Sequence, residues 1–183
     1  MNNNNEINRA TKEILDKKWH LATDAHEVAL TELEFALFRI SEAFERWQSD
    51  CLACCVEGNF SGTDNALLHM IRMHDRPKSI SDLARLLNRD DLSNLQYSLR
   101  KMSKAGLIEK AKGDSKKGVT YQVTEQGMEV TDRYARYRQE LLLSLTGSIA
   151  GFEGKLNGAT QALNLMVGMY DQAACVAASH KGS

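Results

Sequence analysis

The stretch Lys78–Gly127, KSISDLARLLNRDDLSNLQYSLRKMSKAGLIEKAKGDSKKGVTYQVTEQG, holds most of the information that sets the fold. Ser79 or Ser81 is placed to cap a short helix over Asp82–Leu87, with Leu83, Leu86 and Leu87 turned inward. Asn88-Arg89-Asp90 makes a tight polar turn. Asp90 or Asp91 opens a second helix that ends near Ala105, since a carboxylate suits the positive end of a helix. Leu92, Leu95, Leu99 and Met102 form its buried side, and Gly106 stops it. Leu107–Lys110 and Val119–Val123 read as two strands, with Val119, Tyr121 and Val123 on one face. The turn between them, Lys110–Gly118, carries four lysines, two glycines and Asp114.

Two helices joined by a short turn, the second polar opposite its apolar stripe, form a helix-turn-helix. In that arrangement the second helix enters the DNA major groove. Ser93, Asn94, Gln96 and Tyr97 are then the candidate base readers. Amides bond adenine in bidentate fashion, a serine hydroxyl bonds permissively, and tyrosine offers a hydroxyl and an apolar edge. Ser79, Ser81, Arg89, Arg100, Lys101 and Lys104 flank the same surface as candidate phosphate contacts. Lys112, Lys116 and Lys117 form a basic hairpin tip suited to the adjacent minor groove or backbone. Charge is distributed accordingly. Residues 1–60 carry 6 Lys/Arg against 11 Asp/Glu, whereas residues 78–118 carry 10 against 5, within a chain of net charge −1.

Outward from this stretch everything reads as helix. Residues 1–26 are an N-terminal extension, with a helical pattern of Ile7, Ala10, Ile14, Leu15 and Trp19. A long helix over 27–57 repeats Leu30, Leu33, Leu37, Ile40, Phe44 and Trp47, widened by Phe35, Phe38 and Leu52. A stripe of that length needs a partner along it, and a small winged domain cannot cover it, so a second subunit is expected. Residues 27–62 are therefore read as dimerisation helix and connector, and 63–127 as the DNA-binding domain. Within the latter, a helix over Thr63–Met73 turns Leu67, Leu68 and Ile71 inward, and Arg76-Pro77 terminates it. Residues 128–179 hold two C-terminal helices, 128–145 and 153–179, and 180–183 form a tail. Small residues along the last helix permit close helix approach.

The residues also carry a resemblance. SISDLARLLNRDDLSNLQYSLRKMSKAGLIEK resembles the helix-turn-helix and following G-L-[IV] of MarR-type winged helix-turn-helix transcriptional regulators, and GDSKKGVTYQVTEQG resembles their wing. Three departures stand out. Lys116 or Lys117 replaces the wing arginine, the Asp114-to-Thr124 spacing is one residue longer, and Val123 stands where leucine is common. Lysine neutralises phosphate but lacks the forked geometry of guanidinium. The resemblance implies a mainly α fold with a small antiparallel β-wing and long N- and C-terminal dimerisation helices. It also implies a homodimer on a pseudo-palindromic DNA site, usually repressing, and relieved by a small molecule or by thiol modification.

Two sensor regions follow. Cys51, Cys54 and Cys55 share one helical turn, and Cys175 lies on the last helix. Buried inert thiols, a redox switch and a thiolate metal site all fit that pattern, although Cys-x-x-Cys-Cys on one helix is poor spacing for a closed tetrahedral site. Phe44, Trp47, Phe60 and His69 are candidate walls of a crevice for an aromatic or apolar effector, or plain core.

No nucleophile elbow, phosphate loop, paired carboxylates or H-E-x-x-H occurs, and GNFSG at 58–62 lacks the context of a dinucleotide site. An enzyme is not expected, nor is a cofactor or bound metal. No long apolar run and no secretory h-region are present, so the cytoplasm is the expected location. The competing reading is a winged-helix protein-interaction module without DNA binding.

Overall fold

The computed structural model describes residues 20–111 and 118–180. The helix expected over Ile7–Leu21, the wing residues Lys112, Lys116 and Lys117, and the last three residues of the tail lie outside or largely outside them. The chain divides into two compact units, Met1–Tyr134 and Ala135–Ser183.

In the first unit, α1 (Ala25–Ala53) is capped by Asp24, whose side chain accepts the Glu27 N–H. Next comes α2 (Gly62–Arg72), where the Ser61 hydroxyl and the Asp64 carboxylate cap each other's N–H groups. A single 3-10 turn, Met73–Asp75, leads to β1 (Lys78–Ser79). The helix-turn-helix is α3 (Ile80–Leu86) and α4 (Leu92–Lys104). The wing strands β2 (Ile108–Lys110) and β3 (Thr120–Val123) follow, and then α5 (Glu125–Tyr137). Three antiparallel strands lie in the order β1-β3-β2, with Lys78 opposite Tyr121 and Ile108 opposite Val123. The two-residue β1 is too short to carry a period-2 pattern, and the sequence signalled only Ser79 as a cap.

Local chemistry explains the boundaries. The turn between α3 and α4 places Asn88 at φ 48, with the Arg89 N–H on the Ala84 carbonyl at 2.9 Å. Asparagine tolerates that left-handed conformation. Gly106, at φ 74, closes α4 in the same way, with the Leu107 N–H on the Met102 carbonyl. Thr124 starts α5: its hydroxyl donates to the Gly106 carbonyl and accepts the Gly127 N–H. At Gly127 a Cβ would stand 2.0 Å from the Leu107 carbonyl oxygen, so only glycine lets α5 pass the end of α4 this closely.

The core joins Leu52 of α1, Leu67, Leu68 and Ile71 of α2, Leu83 of α3, Leu95, Leu99 and Met102 of α4, and Leu107 and Ile108 beside the wing. Leu86 and Leu92, expected inside, are exposed. Each sits at an end of a short helix, where the apolar stripe has not yet turned inward. The α1 stripe divides: Leu52 is buried, while Leu30, Phe35, Phe38, Ile40 and Phe44 stand exposed, Phe38 at 73%.

In the second unit a π-helical turn (Arg138–Leu143) and α6 (Ser144–Gly147) precede α7 (Phe152–Ser179). The helix expected over 128–145 is thus assembled from three segments. Leu156, Leu163, Val167, Tyr170 and Val176 of α7 are exposed, and none of its residues is buried.

Replacing Gly127 with alanine is expected to cost about 3 kcal/mol, because backbone rather than a flexible side chain blocks the new methyl. Urea unfolding measures it; an unchanged midpoint would contradict this close approach.

Candidate nucleic-acid interface

The outer face of α4 is set by its inner one. Leu95, Ser98, Leu99 and Met102 are buried. The opposite side therefore presents Ser93, Asn94, Gln96, Tyr97 and Arg100 to solvent, with Tyr97 62% exposed. The structure brings the four predicted base readers together on the N-terminal half of one exposed face. Asp91 caps this end by accepting the Asn94 N–H at 3.1 Å, and the Asn94 side-chain amide also donates to Asp91.

The predicted phosphate contacts separate into groups. Ser81, Arg100 and Lys104 are exposed, and Arg89 is half-buried. Ser79 is engaged elsewhere, since its hydroxyl donates to Asp82 at 2.8 Å and accepts the Asp82 N–H, forming the cap of α3. Lys101 departs from expectation altogether. Its ammonium lies 2.5 Å from Asp64 Oδ2 and 4.9 Å from the centroid of the Phe60 ring. It is a paired, half-buried cation rather than a free one.

Lys78, one of the ten positive charges in 78–118, is also turned inward. It is 4% exposed, and its Nζ donates to the carbonyls of Ile71 (3.0 Å), Arg76 (3.2 Å) and Met73 at the end of α2. Burial, reinforced by neighbouring Arg76, holds its pKa below the usual lysine value. Sequence reading missed two exposed cations. Arg76 and Arg85 line a groove with Ser79 and Thr120 beside β1, and Arg85 pairs with Asp82 at 3.1 Å. Arg85 already counted in the local charge excess; Arg76 was legible only as a helix terminator.

Asp64 fixes how α4 is mounted. It is 2% exposed, and its Oδ2 accepts the Ser61 N–H at 3.0 Å, the Ser61 hydroxyl at 3.2 Å and Lys101. The buried side chain of Ser98 lies beside the same carboxylate. Burial alone would raise this carboxyl, but the bonds from Lys101 and Ser61 outweigh it and hold the pKa below the ordinary value. The same end of α2 is tied to α1. Glu45 accepts the Thr63 N–H at 3.3 Å, and Asn65 Nδ2 donates to Gln48 Oε1 at 3.2 Å. At the other end, Arg72 bonds Thr131 and the Met128 carbonyl and pairs with Asp132 at 2.6 Å, fastening α2 to α5.

The four candidate crevice residues do not line one wall. His69 packs on Tyr134 at 4.7 Å, and Trp47 meets the other side of that cluster edge-on at 6.5 Å. Phe60 lies under Lys101 instead, and Phe44 is exposed.

The cysteines also differ from one another. Cys51 and Cys55 are buried, whereas Cys54 and Cys175 are exposed. Burial, together with neighbouring Cys55 and Cys54, pushes the Cys51 thiol up to about 11, which disfavours its thiolate. Cys55 donates its S–H to the Cys51 carbonyl at 3.1 Å. Arg133 holds the carbonyls of Cys54 (2.8 Å) and Cys55 (3.0 Å) just past the end of α1. Cys175 belongs to the second unit. Among the described residues no group of three or more His, Cys, Asp or Glu is placed to hold a metal ion, and no helix is long and apolar enough to cross a membrane.

Residues 60–127 match the family model of winged helix DNA-binding domains. No curated protein matches the chain. Among solved structures, the transcriptional regulator BldR from Sulfolobus solfataricus superposes with TM-score 0.62 at 19% identity, over 78% of this chain and 99% of that one. A mutant MarR from E. coli complexed with operator DNA gives 0.61 at 18% identity, over 77% and 99%. The S. aureus MepR–DNA complex gives 0.57 at 17% identity, over 72% and 93%. At these identities the likeness is one of fold: a mainly helical winged helix-turn-helix with a small antiparallel sheet and long terminal helices.

The Asp64 carboxyl, held low when folded, contributes stability that is fully present above the ordinary aspartate value of about 3.9 and lost as pH falls through its folded value. Asp64→Asn is expected to cost about 3 kcal/mol at neutral pH by breaking a buried pair. The gap to the parent should narrow below about pH 4. Urea midpoints measured across pH check this; a gap constant into acid would contradict it.

Proposed function

We propose that this protein is a sequence-specific, duplex-DNA-binding transcriptional regulator that acts as a homodimer and represses. The observation that carries the reading is the exposed face of α4, where Ser93, Asn94, Gln96 and Tyr97 stand clear of the core within a match to winged helix DNA-binding domains. These groups offer the donor and acceptor pairs that major-groove edges take up. Arg89, Arg100 and Lys104, with Arg76 and Arg85 on the groove beside β1, supply the surrounding positive charge. Lys112, Lys116 and Lys117, outside the described residues, are further candidate contacts from the sequence of the wing.

Dimerisation is supported by the large apolar side chains that stand in solvent in each unit. Phe35, Phe38, Ile40 and Phe44 of α1 are exposed, and so, in the second unit, are Leu156, Leu163 and Val167 of α7. Two-fold symmetry then sets two α4 helices on a pseudo-palindromic site. Relief by a small molecule or by thiol modification completes the proposal. Cys54 is the exposed thiol in the Cys51–Cys55 cluster, next to the carbonyls held by Arg133.

Two measurements test the proposal. Binding to duplex DNA should weaken linearly on a log–log salt scale, and Gln96→Ala with Tyr97→Ala should cost roughly tenfold or more in specific affinity. Salt-insensitive or absent DNA binding would favour the protein-interaction module. Sedimentation should give twice the chain mass, and Phe38→Glu should shift it towards the single chain; a monomeric parent would overturn the dimer.

A further inference from the structure

Resting on the DNA-binding reading above, we propose that Asp64 is a positioning residue for base reading, and that Lys101 serves it from inside the protein rather than touching phosphate. Asp64 is fixed before it meets α4. Its Oδ2 accepts both the N–H and the hydroxyl of Ser61, which binds the carboxylate to the first turn of α2. That first turn is itself anchored on α1 through Glu45 with Thr63 and Gln48 with Asn65.

From this fixed point the carboxylate reaches α4 at Lys101, with the buried Ser98 side chain beside it about one turn earlier. These positions are three residues apart, about 60° around the helix and nearly one turn along it. An ion pair to a carboxylate fixed on α2, with Ser98 packed beside it, resists both rotation of α4 about its axis and sliding along it. The apolar contacts of Leu95, Leu99 and Met102 cannot do this alone, because hydrophobic burial is non-directional while hydrogen bonds to a carboxylate demand angle and distance. Phe60 adds a further restraint by standing 4.9 Å under the Lys101 ammonium.

The consequence lies one to two turns back along the helix, on its N-terminal half. Ser93, Asn94, Gln96 and Tyr97 span successive positions over little more than one turn. A small roll of α4 therefore moves one donor out of register with a base edge as it moves another in. Phosphate contacts tolerate such a roll better, because they need charge rather than an exact pairing. A loosened Asp64 knot should thus damage discrimination between sequences more than general affinity for duplex DNA.

The test uses the full-length protein and a duplex enriched by the parent protein from a random pool, alongside a scrambled duplex. Lys101→Met, Ser98→Ala and their combination are compared with the parent after thermal unfolding confirms that each is folded. Lys101→Met should lower affinity for the enriched duplex about tenfold and for the scrambled duplex far less, with the slope of log affinity against log salt unchanged. Ser98→Ala, which removes the hydroxyl beside Asp64 and little volume, should show the same pattern more weakly. Lys101→Arg, which keeps the charge facing Asp64, should recover part of the discrimination. Should Lys101→Met fail to fold, the Ser98→Ala pattern decides. A salt slope reduced by about one in Lys101→Met, with equal loss on both duplexes, would show direct phosphate contact and overturn the proposal. Equal affinity of Ser98→Ala and the parent for both duplexes would overturn it as well. If the parent enriched no duplex at all, the DNA-binding reading would fall and this proposal with it, an outcome distinct from either.

Discussion

The buried carboxylate of Asp64 holds the helix-turn-helix in place. A side chain 2% exposed to solvent needs full compensation, and here one oxygen accepts from the cap of its own helix and from Lys101. The ordering of the unit follows from that requirement. Helix α2 must start at Ser61 for the capping box to form, α4 must present Ser98 and Lys101 inward, and the reading face is whatever remains outside. Glu45 and Gln48 extend the same polar joint to α1. The candidate DNA-reading helix is thereby tied to the long helix whose apolar face stands open.

Charge in this domain has two destinations, and they are separated by geometry. Lys78 and Lys101 turn inside, one onto the carbonyls that close α2 and the other onto Asp64. Arg76, Arg85, Arg100 and Lys104 remain at the surface. Arg72 and Arg133 bind backbone carbonyls on α5 and past the end of α1, stiffening the body. A local excess of positive residues therefore overstates the field offered to a phosphate backbone: among the described residues Arg100 and Lys104 lie exposed on α4, Arg76 and Arg85 beside β1, and Lys110 at the end of β2.

Much of this was legible in the sequence because it is written in local chemistry. Gly106 at the end of α4, an aspartate at its start and the leucines at 3-and-4 spacing each act within a turn or two of the chain. The S-x-x-D spacings at Ser61–Asp64 and Ser79–Asp82 would have chosen between the paired cap candidates, since only those serines have an acidic residue three positions on that can return a hydrogen bond. What lay beyond reach was non-local. Whether Lys101 faces solvent or Asp64, thirty-seven residues away, depends on how α2 and α4 pack, and no periodicity in α4 records it. The same holds for Lys78, whose lysine signal reads as surface until β1 folds it under α2. Only two of the four candidate crevice residues converge, Trp47 and His69 on Tyr134, for a related reason: Phe60 and His69 lie at opposite ends of α2, so shared aromatic character did not imply shared surroundings.

Whether α4 reads duplex sequence as one of a symmetric pair is decided most directly by selecting bound duplexes from a random pool. A two-fold pair of reading helices predicts enrichment of two inverted half-sites whose centres lie about one helical turn, roughly 34–36 Å, or a multiple of it apart. Recovery of an unenriched pool, or of a single half-site without a symmetric mate, would contradict it.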